Sequence, residues 1–399
     1  MEVSFRTLYD NALDLLRTLT TEKGMLASAI EAENYKRIWA RDGIICGLAA
    51  ILSRDKELLN GMKNTLLTLA KYQHPLGMIP SNVVPGKNGD ISFGGLSGRV
   101  DTATWFIIGA CLYYHNTKDK ATWRKLRPAI KKCRVYLKTI EFNANGWIYT
   151  PMSGNWADEY PVHGYTLYDN MLRIWGEELW STLTKTPSAA LQHIKRKSYV
   201  NFWPRPGIDR QEIYQKPAFD ALLDPPIPYF SAFILPGKYD RRFDAAGNAI
   251  ALLNFNINAE QKGKLADFLE LVKASISKKL IPAFWPVIQE ENTDWEYMKH
   301  NYTFAFKNEP HHFHNGGIWP VWMGLFCLGL SRNGLNSAAK EIVDDFTALL
   351  TDPRWDYQEY LVSNTLVPAG KRKMGFSAAA VVFMYYALQP EYIEEKLSI

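Results

Sequence analysis

Apolar residues recur at three- and four-residue spacing along the chain, while alternating runs of β-branched residues are few. This periodicity is typical of amphipathic helices and not of strands. It predicts about a dozen helical segments, the first marked by Leu8, Ala12, Leu15 and Leu16 and the others at 44–52, 62–72, 102–115, 123–140, 168–183, 189–199, 245–253, 260–277, 317–330, 337–350 and 376–388. The pattern therefore predicts an all-α fold.

Long connections rich in Gly, Pro and Trp separate these segments, because Gly and Pro stop helices and set turns. They lie at 75–90, 146–164, 202–209, 225–236, 281–296 and 309–316. No Pro/Ser/Gly-rich linker, charge block or low-complexity tract divides the chain. We therefore predict a single domain over residues 1–399, in which helical hairpins close into a ring and the long loops gather at one rim.

The composition excludes a disordered chain and gives no support to nucleic-acid binding. Of 399 residues, 47% are hydrophobic and 22% are charged, which suffices for a large folded core. The formal charge of +5 comes from basic residues scattered along the chain. Nucleic-acid binding requires such residues gathered in a stripe or an arm, so we expect no nucleic-acid partner.

The cysteines and residues 1–6 indicate the cellular compartment of the protein. The four cysteines lie far apart and mostly in apolar helical runs, which is typical of reduced core thiols and not of disulfides or a zinc site: Cys46, Cys111, Cys133 and Cys327. Residues 1–6 lack the basic stretch and apolar run of a secretory leader. The apolar segments 44–52 and 378–388 are shorter than the roughly 20 residues that span a bilayer. We therefore expect a cytoplasmic protein with no membrane anchor, whereas its oligomeric state is unknown from sequence.

Aromatic residues make up 13% of the chain, with 13 Trp, 21 Tyr and 19 Phe. Flat rings bind the flat faces of sugars, and Tyr and Trp add a polar group. A large core built with aromatic residues would have the same composition. The positions of the rings must therefore decide between sugar binding and core packing.

Two polar clusters each open a predicted helix. The first is Trp39-Ala40-Arg41-Asp42-Gly43, and the second is Gly98-Arg99-Val100-Asp101 with Trp105 after it. Asp42 and Asp101 could cap the helices that follow them. Alternatively, Trp39 is a stacking face, and the charged residues of both clusters bind sugar hydroxyls. Both interpretations stay open at the level of sequence.

The segment 153–165 combines adjacent carboxylates with several rings. Asp158 and Glu159 follow Trp156 and precede Tyr160 and Tyr165. Burial beside aromatic rings disfavours a charged carboxylate and raises its pKa, as a general acid at neutral pH requires. Neighbouring positions on an extended loop point apart, so we expect one of the two acids to face a pocket. The sequence does not say which.

Three further segments carry polar or aromatic candidates. Asp240-Arg241-Arg242-Phe243 precedes Gly247-Asn248, and Trp285 and Asp294-Trp295-Glu296 lie in a later loop; each resembles a turn or a surface ion pair. The histidines of the stretch 311–320, which runs from His311 to Pro320, invite a metal hypothesis. Their spacing is not that of a helical zinc site, and Gly316-Gly317 indicates a tight turn into a helix. We therefore expect no metal and no cofactor.

A second aromatic-flanked carboxylate, Glu359, lies in Trp355-Asp356-Tyr357-Gln358-Glu359-Tyr360. Glycoside hydrolysis needs one acid to protonate the leaving oxygen and one base to activate water. The chain has no Gly-x-Ser-x-Gly elbow, Walker-type phosphate loop or dinucleotide fingerprint, so acyl, phosphoryl and hydride transfer have no positive support. Sugar chemistry is favoured by content and by elimination.

Taken in order, these residues give the chain a family resemblance. It resembles the neutral/alkaline invertases of glycoside hydrolase family 100 over most of its length and, more loosely, the glucosidase domain of glycogen debranching enzymes. The most specific match is His314-Asn315-Gly316-Gly317 with Trp319-Pro320, similar to the family's His-Asn-Gly-Gly-x-Trp-Pro. The other matches are Trp39 to Asp42, Gly98 to Asp101 with Trp105, and Asp240, Arg242 and Phe243 with Gly247-Asn248.

The resemblance implies an (α/α)6 barrel and hydrolysis of an α-glucosidic bond with inversion. Asp158, a few residues before Val162-His163-Gly164-Tyr165, is similar in position to the family's acid, and Glu359-Tyr360 to its base segment. The invertases have Asp-Arg-Arg-Met where this chain has Asp158-Glu159-Tyr160-Pro161, and this chain is short after Glu359. These departures place sucrose specificity in question more than the reaction class.

The leading hypothesis is an inverting hydrolase of a small α-glucoside, with Asp158 as acid and Glu359 as base facing one ring-walled cavity. The expected sugar-binding residues are Trp39, Arg41, Asp42, Asp101, Trp156, Tyr165, Asp240, Arg242, Trp285, His314 and Trp319. Alternatives are a debranching-type α-1,6-glucosidase, a sugar isomerase or epimerase that relies on His314, and a glycan-binding protein without turnover.

Overall fold

The computed structural model describes residues 5–30, 35–84 and 90–397. Within these residues the chain forms fifteen helices: α1 (Phe5–Thr18), α2 (Ala40–Ser53), α3 (Lys56–Lys71), α4 (Asp101–Thr117), α5 (Lys120–Thr139), α6 (Leu167–Thr184), α7 (Ala189–Phe202), α8 (Lys216–Asp220), α9 (Ala245–Asn254), α10 (Ala259–Ile276), α11 (Thr293–Lys299), α12 (Pro320–Arg332), α13 (Asn336–Leu350), α14 (Gly375–Ala387) and α15 (Glu391–Leu397). Each of the predicted helical segments is confirmed. The three short helices α8, α11 and α15 were not predicted.

Short antiparallel ladders join the loops between helices. Their strands are β1 (Thr20–Thr21), β2 (Gly24–Met25), β3 (Ile38–Trp39), β4 (Asn82–Val83), β5 (Ile91–Ser92), β6 (Tyr165–Thr166), β7 (Phe233–Leu235), β8 (Lys238–Tyr239), β9 (Phe243–Asp244), β10 (Phe284–Trp285), β11 (Tyr360–Leu361) and β12 (Pro368–Ala369). The ladders are β1-β2, β3-β4-β5, β6-β7-β8, β9-β10 and β11-β12. They fix loop ends and add no separate sheet layer to the fold.

Six helices of the described chain form a closed inner ring. Each packs on the next in the order α2, α4, α6, α9, α12 and α14, and α14 packs back on α2. These helices are buried almost all round, and every residue of α9 is buried. A helix surrounded by protein has no need of a polar stripe, which explains the largely apolar sequences of α2, α9, α12 and α14.

The outer helices α1, α3, α5, α7, α10 and α13 are amphipathic and cover the ring. In α5, for example, Trp123, Leu126, Ile130 and Cys133 are buried on one face while charged residues occupy the other. Alternation of an apolar inner helix with an amphipathic outer one is the (α/α)6 toroid that the sequence predicted.

The amino-terminal ends of the inner helices meet at one end of the ring. Arg41 in the first turn of α2 bonds Asp101, the first residue of α4, at 3.0 Å, and Tyr168 at the start of α6 bonds Asp101 at 3.0 Å. Trp319 before α12 lies 6.1 Å, ring to ring, from Phe376 in α14. The loops that precede the inner helices therefore converge on a single rim.

The four cysteines are free and buried, as expected of core thiols: Cys46, Cys111, Cys133 and Cys327. Among the described residues no helix is both long enough and apolar enough to cross a membrane. Residues 1–4, part of the segment from which the absence of a leader was predicted, lie outside the described ranges.

Candidate active site

A cavity of about 390 Å³ opens at the rim where the inner helices begin. Its volume is within the range of about 300–1,000 Å³ that is typical of small-molecule sites. The predicted residues in its wall are Trp39, Arg41, Asp42, Trp156, Asp158, His314, Trp319 and Glu359, and the other residues include Tyr35, Leu96, Arg99, Glu159, Thr303, Phe304, Lys307, Phe313, Trp322 and Phe376. The two proposed catalytic acids, far apart in sequence, thus share one cavity.

Glu359 is buried immediately before β11. Its backbone N–H donates to the carbonyl of Lys371 at 2.8 Å, and its Oε1 accepts from the hydroxyl of Tyr35 at 3.0 Å. Burial raises the pKa of Glu359 to about 7, and the bond from Tyr35 opposes that rise. Glu359 therefore exchanges its proton near neutral pH.

Gly370 makes the space that Glu359 occupies. Its φ of +77° is a conformation that L side chains rarely adopt. A Cβ at this position would lie 2.7 Å from both Cβ and Oε2 of Glu359. The bend directly after β12 therefore leaves room for the carboxyl group.

Asp158 forms an ion pair with Arg99 within the cavity wall. The Arg99 guanidinium donates to Oδ2 of Asp158 and to the carbonyl of Ser153 at 3.2 Å. From the other side, the amide of Asn301 donates to the backbone carbonyl of Asp158 at 2.9 Å. Since Arg99 also lines the cavity, the ion pair does not draw the carboxyl away from it.

Glu159 lines the same cavity as Asp158, so the expectation that one of the two acids faces away is wrong. The reason is the backbone, because residues 152–161 run through turns and bends and not through an extended strand. Lys307 approaches Glu159 at 3.4 Å. Burial raises the pKa of Glu159, and Lys307 counteracts this.

Arg41 and Asp42 reach the cavity from the first turn of α2, whereas Asp101 lies behind them. Asp101 is 1% exposed and bonds Arg41 and Tyr168. The prediction that Asp101 contacts sugar is therefore corrected, because its carboxylate is committed to Arg41. The capping interpretation fails as well, since Trp39 and Val100 occupy the N-cap positions and neither cap is made by a side chain.

Aromatic rings form one wall of the cavity. The His314 ring stacks on Trp319 at 5.3 Å, and Trp156 stands edge-on to Trp319 at 5.4 Å. Burial and nearby cations hold the pKa of His314 well below its usual range, so the ring is neutral at physiological pH. The wall thus offers apolar faces and one uncharged imidazole to a ligand.

Four other predicted sugar contacts lie outside this cavity. Tyr165 packs on Trp147 at 5.4 Å, and the ring of Trp285 lies 6.4 Å from that of His311. Asp240 and Arg242 form a buried pair at 2.7 Å, and Arg242 reaches Asp294 at 3.0 Å. These predictions are corrected, because the side chains are used in packing and in ion pairing behind the wall.

Sequence reasoning missed Tyr35, Lys307, Phe304 and Trp322 in the wall. Trp322 lies one helical turn after Trp319, a spacing that could have revealed it. Phe304 and Lys307 lie in a loop without periodicity, which gave no signal. Within the ranges that the structure describes, no group of three or more His, Cys, Asp or Glu side chains could hold a metal ion.

Comparison with known proteins points to carbohydrate-active enzymes. The sequence model of the family described as alkaline and neutral invertase matches residues 208–388. Probable alkaline/neutral invertase F of Arabidopsis thaliana is 24% identical over 394 aligned positions, covering 82% of this chain and 74% of the relative. Probable alkaline/neutral invertase D of the same plant is 27% identical over 139 positions, but the match spans 32% of this chain and only 23% of the relative.

Solved structures have the same fold at low identity. A mannosylglycerate hydrolase of family GH63 from Thermus thermophilus, in complex with glucose, has a TM-score of 0.65 at 14% identity and covers 94% of this chain and 99% of its own. A rhamnosidase from Klebsiella oxytoca with rhamnose bound has a TM-score of 0.59 at 14% identity, covering 96% of this chain and 64% of its own. These findings confirm the resemblance to the alkaline and neutral invertases and the toroid fold, and together they support a glycoside hydrolase.

Proposed function

We propose that the protein hydrolyses the α-glucosidic bond of a small saccharide with inversion, using Asp158 as general acid and Glu359 as general base. The observation that carries the proposal is the presence of both carboxyl groups in the wall of one aromatic-lined cavity. For inversion the two groups should stand about 6.5–9.5 Å apart, which leaves room for a water molecule.

In the proposed reaction, Asp158 gives its proton to the glycosidic oxygen while water attacks the anomeric carbon from the opposite face. Glu359 takes a proton from that water, so that each carboxyl group changes protonation state once. Arg99 then stabilises the negative charge that develops on Asp158 as its proton leaves. Tyr35 keeps Oε1 of Glu359 in a fixed orientation.

One observation favours the reverse assignment of roles. Glu359, with a pKa of about 7, carries a proton for part of the time at neutral pH, and Asp158 faces the cation Arg99. In the reverse assignment, Glu359 is the acid that donates its proton and Asp158 is the base. The two assignments make opposite predictions for a substrate whose leaving group needs no protonation.

The test uses α-glucosyl fluoride, from which fluoride departs without acid catalysis. Asp158→Asn should lower kcat/KM on sucrose and isomaltose by about 10²–10⁴-fold yet retain much of the activity on the fluoride, because only the acid is removed. Glu359→Gln should lose activity on all of them. Glu290→Gln, at an exposed position, is the matched control.

The opposite pattern, in which Glu359→Gln retains fluoride hydrolysis and Asp158→Asn does not, would exchange the roles. NMR of the first product tests the stereochemistry, since inversion of an α-glucoside releases β-glucose. Because the similar structures include a mannosylglycerate hydrolase, mannosylglycerate belongs in the substrate panel beside sucrose and isomaltose.

The competing functions differ in the residue that matters most. An isomerase or epimerase would lose activity in His314→Ala and keep it in Glu359→Ala. In such an enzyme histidine would act as acid or base. The buried, neutral state of His314 gives no support to the acid role, because the protonated ring is strongly disfavoured. A glycan-binding protein would bind these saccharides and release no product.

A further inference from the structure

The loop of residues 301–308 forms the part of the cavity wall next to Asp158. Thr303, Phe304 and Lys307 of this loop line the cavity. Asn301 at its start donates to the backbone carbonyl of Asp158 at 2.9 Å, and Asn308 at its end donates to that of Glu159 at 2.7 Å. The loop is therefore fastened at both ends to the segment that carries the proposed acid.

Because the 301–308 loop lies beside Asp158, its position indicates which part of the substrate it contacts. A general acid protonates the oxygen of the departing group, so the leaving group must lie on the acid's side of the scissile bond. Glu359 is held by the hydroxyl of Tyr35 and by the backbone carbonyl of Lys371, and neither residue belongs to this loop. The 301–308 loop therefore faces the leaving group and not the sugar that is attacked by water.

Phe304 is unusual within this loop because its ring is 89% exposed, the largest exposure among the large hydrophobic residues described. Leu96, in a separate part of the wall, is 48% exposed and also lines the cavity. Leaving apolar surface in water is unfavourable by about 25 cal/mol per Å². Two exposed apolar side chains in the wall of a sugar-sized cavity are positioned to cover an apolar face of a ligand.

Residues on the carboxyl-terminal side of Phe304 are held in place by contacts with the rest of the protein. Phe306 packs inward against Trp295 at 5.3 Å and against Tyr302 at 6.0 Å. Lys307 reaches Glu159 at 3.4 Å and lies 4.7 Å from the ring centre of Phe313. The neighbours of Phe304 are thus anchored to the protein while its own ring is presented to solvent.

We infer that Phe304 is the stacking platform for the leaving group, which is therefore a ring-shaped sugar and not a small open-chain acid or polyol. The inference rests on the proposed function for its orientation of the substrate. The C–H face of a pyranose or furanose covers an aromatic ring, whereas glycerol or glycerate offers no such face. Thr303 and Lys307 flank the ring and supply polar groups for hydroxyls at the edge of the sugar.

The experiment compares Phe304→Ala and Phe304→Trp with the wild type on four α-glucosyl compounds. Sucrose and isomaltose have ring leaving groups, α-glucosylglycerol has an open-chain one and α-glucosyl fluoride has none. Phe304→Ala should lower kcat/KM about fivefold on the two disaccharides, mainly through KM, and should leave the other two compounds unchanged. Phe304→Trp should retain the wild-type values. Phe142→Ala removes a ring that is 77% exposed and outside the cavity wall, and is the matched control.

A loss of the same size on all four compounds, or no loss on any, would overturn the inference. A binding measurement tests the role of Phe304 independently of the proposed hydrolysis. In the Glu359→Gln background, titration of tryptophan fluorescence with isomaltose and with glucose should show that Phe304→Ala weakens only the disaccharide. If no compound is hydrolysed, the proposed function fails, and an unchanged Kd for isomaltose would then overturn the role of Phe304 independently.

Discussion

At the scale of single residues, the central interaction is the bond from Tyr35 to Glu359. A hydroxyl that donates to a carboxylate stabilises the charged form, so Tyr35 opposes the rise in pKa that burial imposes on Glu359. A general base must be deprotonated before it can act. Tyr35 is therefore a positioning residue that also lowers the pH at which Glu359 becomes deprotonated.

This role predicts a pH profile. With α-glucosyl fluoride as substrate, kcat/KM should rise with pH through about 7, the pKa of Glu359, because the fraction of charged base increases. Tyr35→Phe should move this limb to higher pH by about one unit, since the charged form loses a hydrogen bond. Tyr297→Phe, on an exposed part of α11, should leave the profile in place.

A limb that falls with rising pH would contradict the role of Glu359 as base and support its role as acid. A Tyr35→Phe variant with reduced kcat but an unmoved limb would mean that Tyr35 only shapes the cavity. The two outcomes are distinct because the first concerns whether kcat/KM rises or falls with pH, and the second concerns the pH at which it changes.

At the scale of elements, α12 and α14 approach each other closely at Gly324. A Cβ at Gly324 would lie 2.8 Å from the carbonyl oxygen of Ala380 and 2.9 Å from its Cα. Backbone atoms within a helix cannot yield as a flexible side chain can, so the two helices would have to separate. The inner ring therefore depends on a small residue at this crossing.

Gly324→Ala should lower the free energy of unfolding by about 1–3 kcal/mol, as overpacking of a core does. Gly263→Ala is the matched control: Gly263 lies in α10, is exposed and has open space around its Cα, so Ala should stabilise by up to about 1 kcal/mol. Denaturation by guanidinium, followed by circular dichroism, measures both. Equal stability of the two variants would contradict the tight crossing.

At the scale of the whole molecule, the outer helices were predicted well because each buries one face at the helical period, and the inner helices were predicted from their largely apolar runs. Periodicity missed some boundaries, such as the start of α3, where Asp55 accepts from the N–H of Leu58 and caps the helix. The prediction of a single domain and that of a cytoplasmic location remain predictions.

The candidate site was predicted less completely, for a physical reason. A polar cluster before an inner helix has the same sequence pattern whether it faces the cavity, as Arg41 does, or the core behind it, as Asp101 and Asp240 do. Only the direction of each side chain separates these cases. Phe304 was not predicted because an exposed residue in a loop is not part of any periodic sequence pattern.

The fastening of the 301–308 loop by Asn301 and Asn308 has a consequence for how such enzymes diversify. Both asparagines bind backbone carbonyls, which every sequence possesses, while Thr303, Phe304 and Lys307 between them line the cavity. Exchanges between the two anchors can thus alter which acceptor is tolerated without disturbing the helical ring. A change of acceptor can therefore arise within a stretch shorter than two turns of helix.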